Sequence, residues 1–206
     1  MIRFRIADAG SDDIEKYHRL RTEVYLAEGL ITPSDVDLET GLFTDRYDGH
    51  SIHLLAANDD DVDIGCWRMV QGGPGRTLPV TDLFDVDVPP RTYESSGSAI
   101  APAYRKTMVG LGFFRAMFAV ADERGLDNAY GIVEPPYLAT ARAIGIPIEV
   151  LSEPRHVFNA DNVAIVVRRD ALMAVLDTVA ETVPAFVDFF LKPFDWTISD
   201  DEFLPA

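Results

Sequence analysis

Hydrophobic and polar residues alternate at the start of the chain (Ile2, Arg3, Phe4, Arg5, Ile6), and this period of two predicts a half-buried strand. The period then lengthens. Ile14, Tyr17, Leu20 and Val24 fall on one stripe, so residues 12–28 predict a helix opened by Ser11 or Asp12 as cap. Residues 29–50 are polar, acid-rich and weakly periodic, which predicts a long loop with one helical turn at most. Two apolar runs at 51–57 and 63–70, joined by Asn-Asp-Asp-Asp, predict a hairpin. Gly72-Gly73-Pro74-Gly75 closes the second run and Pro89-Pro90 closes the loop after it. Small residues dominate a predicted strand at 92–101. At 107–124 Leu111, Phe114, Met117, Phe118 and Ala121 share one helical face, with Gly125 as the stop.

Short strands follow at 128–133, 146–151 and 163–168, with a short helix at 136–144 and another opened by Asp170. Three consecutive strands after the opening helix imply a mixed sheet, antiparallel at its start and covered by the later helices. The fold class is thus α/β, in a single domain. The pattern assigns residues 1–183 to the domain and 184–206 to an aromatic-rich extension (Phe186, Phe189, Phe190, Phe194, Trp196) that packs on it.

Composition narrows the functional classes. The chain has 206 residues and a net charge of −16, from 34 acids against 18 bases. Such a field repels phosphate backbones and anionic lipid, so nucleic acid is not an expected partner. No stretch reaches the ~18 apolar residues of a membrane span. The first residues lack the apolar core of a signal peptide, so a soluble, cytoplasmic protein is expected. A single cysteine, Cys66, rules out an internal disulfide and a cysteine-rich zinc site. Of the histidines only His50 and His53 have ligand-like spacing, so no metal is expected.

Three groups of residues carry candidate chemistry. Arg21 lies on the apolar stripe Ile14, Tyr17, Arg21, Val24, and Arg68 shares a strand face with Ile64, Cys66 and Val70. A buried guanidinium must be paired, and Asp45 and Asp48 are on offer in the intervening loop. Such a network either locks the loop onto the sheet or shapes a polar pocket for a small amino- or carboxylate-bearing substrate. Glu94 begins a strand of small residues and shares its face with Ser96, Ser98 and Ile100. It is placed either to accept a proton from an attacking amine or to face solvent. Finally, Tyr104-Arg105-Lys106-Thr107-Met108-Val109-Gly110-Leu111-Gly112 puts two bases and two glycines where a strand gives way to the best helix. Free backbone N–H groups and the positive helix end make such a junction an anion site, and glycines allow close approach.

That last run resembles the coenzyme A pyrophosphate loop of GCN5-related N-acetyltransferase (GNAT) folds, with Thr107 standing where an Arg or Gln is usual. The succession Arg21-Thr22-Glu23-Val24-Tyr25, Asp45-Arg46-Tyr47-Asp48, His53-Leu54-Leu55-Ala56, Ile64-Gly65-Cys66-Trp67-Arg68-Met69, then Leu78-Pro79 and Leu83-Phe84 is similar to one GNAT branch. This branch comprises the acyl-homoserine-lactone autoinducer synthases and the N-acyl amino acid synthases, and the similarity covers roughly residues 15–150. It implies a mixed, centrally splayed sheet flanked by helices, and acyl transfer from a coenzyme A or acyl carrier protein thioester to a small-molecule amine. By the same resemblance Arg21, Asp45, Asp48 and Arg68 shape the substrate pocket, and Tyr25 and Phe84 line it. Glu94 matches the strand glutamate near the reacting amine. The run Glu94-Ser95-Ser96-Gly97-Ser98 lacks the arginine that follows this glutamate in autoinducer synthases, so adenosylmethionine is not carried over as the amine donor. Tyr137, one turn before Ala141, either protonates the departing thiolate or packs at a helix start.

Thioester aminolysis asks for proximity, which supplies ~7–11 kcal/mol, and for a donor to the oxyanion. The expected assignment is Glu94 as base and Tyr137 as acid. Residues 96–100 offer the backbone donor, and Ile100, Arg105, Lys106, Gly110 and Gly112 hold the donor's phosphate-bearing arm. Arg105, Lys106, Arg115 and Arg124 form a possible docking patch for an acidic carrier protein. The rival expectations are a short-chain acetyltransferase using acetyl-CoA and a catalytically silent fold that binds an acyl thioester or amino acid.

Overall fold

A computed structural model describes residues 1–143 and 145–199; Ile144 of the expected short helix and residues 200–206 of the expected extension lie outside the described residues. The chain is mixed α/β, and within it two compact units are distinguished.

The first unit comprises Met1–Met69, Gly97–Val120 and, among the described residues at the end of the chain, 193–199. Strand β1 (Ile2–Ala7) pairs antiparallel with β2 (Ser51–Ala57), Arg3 opposite Ala57 and Ala7 opposite His53. Helix α1 (Asp12–Ala27) packs Ile14, Leu20, Val24 and Tyr25 around a buried cluster of Ala7, Tyr17, Leu55, Cys66 and Ala99. The 29–50 stretch holds two 3-10 turns, Pro33–Asp35 and Asp48–His50, rather than one helical turn. This unit also holds most of strand β3 (Asp63–Gln71), the end of β4 (Thr92–Ile100) and most of helix α3 (Met108–Arg124). On α3, Phe113 meets Phe4 edge to face at 5.2 Å.

The second unit comprises Val70–Ser96 and Ala121–Lys192. It adds an element absent from the sequence reading: helix α2 (Pro79–Phe84), with proline at its first position, where a missing N–H costs nothing. Strand β5 (Asn128–Val133) precedes helix α4 (Pro135–Ala143) and strand β6 (Ile148–Val150). Strand β7 (Arg155–Val157) then turns into β8 (Ala160–Arg168) through Phe158 and Asn159, both at positive φ as a two-residue hairpin turn demands. Phenylalanine is rare in that conformation, so the hairpin left no signal in the sequence. Helices α5 (Arg169–Ala180) and α6 (Pro184–Leu191) pack on each other. In the first unit a short strand β9 (Thr197–Ile198) pairs with β1.

The pairing of β4 with β5 positions the chemistry. It is parallel and covers only Thr92–Asn128, Tyr93–Ala129 and Glu94–Tyr130. The β4–β5 register ends at Glu94, while β5 stays bonded to β8 as far as Val133–Val163. This is the splay that the resemblance implied.

Candidate active site

In the first unit a buried ionic network surrounds Asp48. Arg21, wholly buried on α1, grips Asp48 with both terminal nitrogens (Nη1 to Oδ1 at 3.1 Å, Nη2 to Oδ2 at 2.8 Å) and also donates to Phe43 O at 3.0 Å. Its guanidinium lies against the rings of Tyr17 and Phe43. Arg68 on β3 donates from Nη1 to Asp45 Oδ1 at 2.8 Å and to Asp48 Oδ1 at 2.6 Å. His53 Nε2 lies 3.1 Å from Asp48 Oδ1, and the amide of Asp45 donates to Asp48 Oδ2 at 2.8 Å. Burial opposes ionisation of Asp48, yet His53, Arg21 and Arg68 together hold its carboxyl far below the usual carboxylate range. Burial works likewise against Arg68, and Asp45 and Asp48 nevertheless keep its pKa raised. The four charged residues singled out in the sequence are therefore one structure.

His18 and His53 complete the network; the sequence reading noted His53 for its spacing from His50 and within the resemblance, but placed neither histidine with the charged cluster. His18 sits three residues before Arg21, so the helical stripe could have found it; His53 shares an inner strand with Leu54 and Leu55 and carried no such signal. Burial pushes the His18 imidazole down to about 4, so it is neutral at physiological pH. His18, Asp48 and His53 each offer a ligand atom within 4.8 Å of the others. Both oxygens of Asp48 are taken by guanidinium donors, however, and two arginines would face an incoming cation, so the grouping is chemically an ion-pair network. Tyr25 stands beside Phe43, their rings 6.1 Å apart, and burial pushes its phenol up to about 12.

Strand β4 departs from simple alternation. Gly97 has φ of +63°, and a Cβ there would lie 3.0 Å from the Tyr17 hydroxyl and 3.1 Å from Arg68 Cγ and Nε. Glycine answers both demands, the left-handed backbone and the close approach. The face expected to be common to Glu94, Ser96, Ser98 and Ile100 is therefore interrupted at Gly97: Glu94 is buried, Ser96 and Ile100 are half-buried, and Ser98 is exposed. Cys66 is a core thiol, with burial pushing it up to about 12.

In the second unit Glu94 is 1% exposed, which excludes the solvent-facing alternative. Its Oε2 accepts the amide of Val80 at 2.7 Å, so the carboxylate also caps the first turn of α2. The other end of that helix is held by Arg155 on β7, a residue the sequence did not suggest. Its Nη1 donates to Leu83 O at 2.8 Å and Asp85 Oδ2 at 2.9 Å, and the guanidinium lies over the buried Phe84 ring at 5.6 Å. Tyr137 on α4 is 45% exposed, with its phenol raised above the ordinary value by partial burial. Nearly half of its surface is therefore accessible to solvent.

Two expectations need correcting, one in the phosphate turn and one in the docking patch. Gly112 was expected to let a phosphate approach, but a Cβ there would lie 2.2 Å from Phe4 Cζ and 2.7 Å from Ile198 Cδ1. Its bareness therefore serves helix-to-sheet packing. Gly110 is the opening of the pair, with only Ile100 Cδ1 at 4.0 Å. Thr107 closes the start of α3 by donating to Tyr104 O at 2.6 Å and accepting the Val109 amide at 3.4 Å. Arg105 is paired with Glu28 at 2.9 Å and donates to Ile100 O at 3.1 Å, while Lys106 is exposed at φ +63°. The second correction concerns Arg115. Placed in the carrier-docking patch by the sequence reading, it is 7% exposed, donates to Pro193 O and lies over Phe194.

With this geometry in hand, comparisons with known proteins agree on the architecture. The profile of the acetyltransferase (GNAT) domain matches residues 20–114. A coenzyme A-dependent acyl-homoserine lactone synthase, BjaI, solved with SAM and isopentyl-CoA, superposes with a TM-score of 0.68 at 20% identity, over 87% of this chain and 90% of that one. The acyl-homoserine lactone synthase LasI gives 0.65 at 17% identity, over 84% and 95%. FeeM, an N-acyl amino acid synthase from uncultured soil microbes, gives 0.62 at 14% identity, over 84% and 95%. No curated protein matches the sequence. The fold is that of the GNAT acyltransferases.

Proposed function

We propose that this GNAT-fold chain is an N-acyltransferase that moves an acyl group from a thioester, on coenzyme A or an acyl carrier protein, to the amine of a small metabolite by direct attack. The observation that carries the reading is the buried Glu94 carboxylate on the last β4 residue still paired with β5. The register ends at Glu94, beside the strand residues to which the reading assigns the extended arm of the thioester.

In the proposed reaction the neutral amine attacks the thioester carbonyl, a C–N bond forms and the carbonyl oxygen takes up negative charge. The amine proton passes to Glu94, and the oxyanion is met by a backbone N–H from residues 96–100. Collapse breaks the C–S bond, and the thiolate takes a proton from Tyr137, whose raised pKa keeps it protonated until then. Arg21, Asp45, Asp48 and Arg68, with Tyr25 and Phe84, shape the acceptor side. Ile100, Arg105, Lys106 and the amide of Gly110 serve the donor's diphosphate.

The test is thioester consumption with a panel of amines, with the product identified by mass. Glu94→Gln keeps an oxygen able to cap α2 but cannot accept a proton, so kcat/KM should fall ~10²–10⁴-fold. A value equal to wild type removes Glu94 as base. Absence of turnover on every amine, with the thioester still bound, favours the silent binding protein.

A further inference from the structure

Tyr17 is not used in the reaction above, yet it is wholly buried and its hydroxyl faces the one irregular point of β4. The phenol donates to Gly97 O at 3.5 Å and accepts from Arg21 Nη1 at 3.5 Å. Arg21 is fixed in turn by both oxygens of Asp48. The ring is clamped as well, edge-on to His18 at 5.2 Å and to His53 at 4.5 Å. A chain of polar contacts thus runs from the ionic network through Tyr17 to a single main-chain carbonyl. Burial drives the phenol well above its ordinary pKa, so it remains a hydrogen-bond donor.

The direction of that carbonyl matters because the peptide unit is planar and trans. When the Gly97 C=O turns out of the strand toward α1, the Ser98 N–H is carried out on the opposite side. Positive φ at Gly97 permits the turn, and a side chain there would crowd Tyr17 and Arg68 at 3.0–3.1 Å. Ser98, which carries that amide, is itself exposed.

We propose that Tyr17 is a positioning residue: by holding the Gly97 carbonyl on the α1 side of β4, it presents the Ser98 amide as the donor to the acyl carbonyl oxygen. This rests on the acyl-transfer reading and identifies which of residues 96–100 supplies the oxyanion contact. It also gives the Arg21–Asp48 pair a part in setting that contact, through Tyr17.

The test is Tyr17→Phe, which removes the hydroxyl and keeps the ring. The probe is butanoyl-coenzyme A labelled with ¹³C at the thioester carbonyl. The bound resonance in wild type should lie downfield of the free one, and the variant should lose most of that displacement. With it kcat should fall about tenfold, short of the ~10²–10³ that follows outright loss of an oxyanion donor, while KM for the thioester stays within twofold. An unchanged carbonyl resonance and kcat in the folded variant overturn the proposal, as does an effect confined to KM for the amine. Should the variant not fold, hydrogen exchange at Ser98 in ligand-free wild type decides: rapid exchange supports an amide outside the ladder, and exchange as slow as at neighbouring strand amides overturns it. If wild type binds no thioester, the acyl-transfer reading fails by itself. The Gly97 carbonyl ¹³C resonance, compared between wild type and Tyr17→Phe, then still accepts or rejects the hold.

Discussion

Asp48 draws two guanidinium groups and an imidazole onto one carboxylate, 11% exposed, and its replacement is the most informative single change in the first unit. Asp48→Asn leaves two arginines that are 0% and 4% exposed without their shared counter-charge. The expected cost is ~3–5 kcal/mol, read from the shift of a urea unfolding curve. Two titrations in the same network separate by pH. His18 is neutral when folded and binds a proton more readily when unfolded, so stability falls as pH drops from about 6.5 toward about 4, by roughly 3 kcal/mol. Asp48 has the opposite charge but the same sense. Its pKa is depressed by folding, so its contribution is complete above the ordinary carboxylate range and is lost as pH falls below it. Unfolding free energy measured from pH 7 to 3 should show both limbs, and His18→Gln should flatten only the upper one.

At the scale of an element, the two glycines of α3 separate by what faces them. Gly110→Ala places its methyl on a helix with only Ile100 Cδ1, at 4.0 Å, in reach, and should stabilise the protein by up to ~1 kcal/mol while raising KM for a coenzyme A thioester. Gly112→Ala drives a methyl into Phe4 and Ile198 and should destabilise by ~1–3 kcal/mol, visible as a lower Tm. The sequence could not tell them apart, because both stand at the same kind of strand-to-helix junction. It was informative where periodicity and charge conflict: an arginine on an apolar stripe demanded a carboxylate, and Arg21 found Asp48. Its silence on α2 has a cause too, since six residues are too few for a periodic stripe, and that helix is held at its ends by Glu94 and Arg155. Arg115 misled because a cation in a helix reads as surface, whereas here it lies over Phe194 with its charge directed to Pro193 O.

At the scale of the whole molecule, a net charge of −16 acts on any donor bearing a diphosphate. Long-range repulsion slows encounter, and screening over ~10 Å at 0.1 M salt relieves it. KM for a coenzyme A thioester should therefore fall as ionic strength rises from low values to 0.15 M, with kcat unchanged. A rise instead would mean that a local basic patch outweighs the global field. Among the described residues no helix is long and apolar enough to cross a membrane.

The three-residue register between β4 and β5 has one more consequence. Strand pairing of this kind is made by peptide groups, which every amino acid supplies alike. Mutation can therefore rewrite most side chains along such a seam without undoing the pairing, and the same architecture can persist in chains that share as little as 14–20% of their residues.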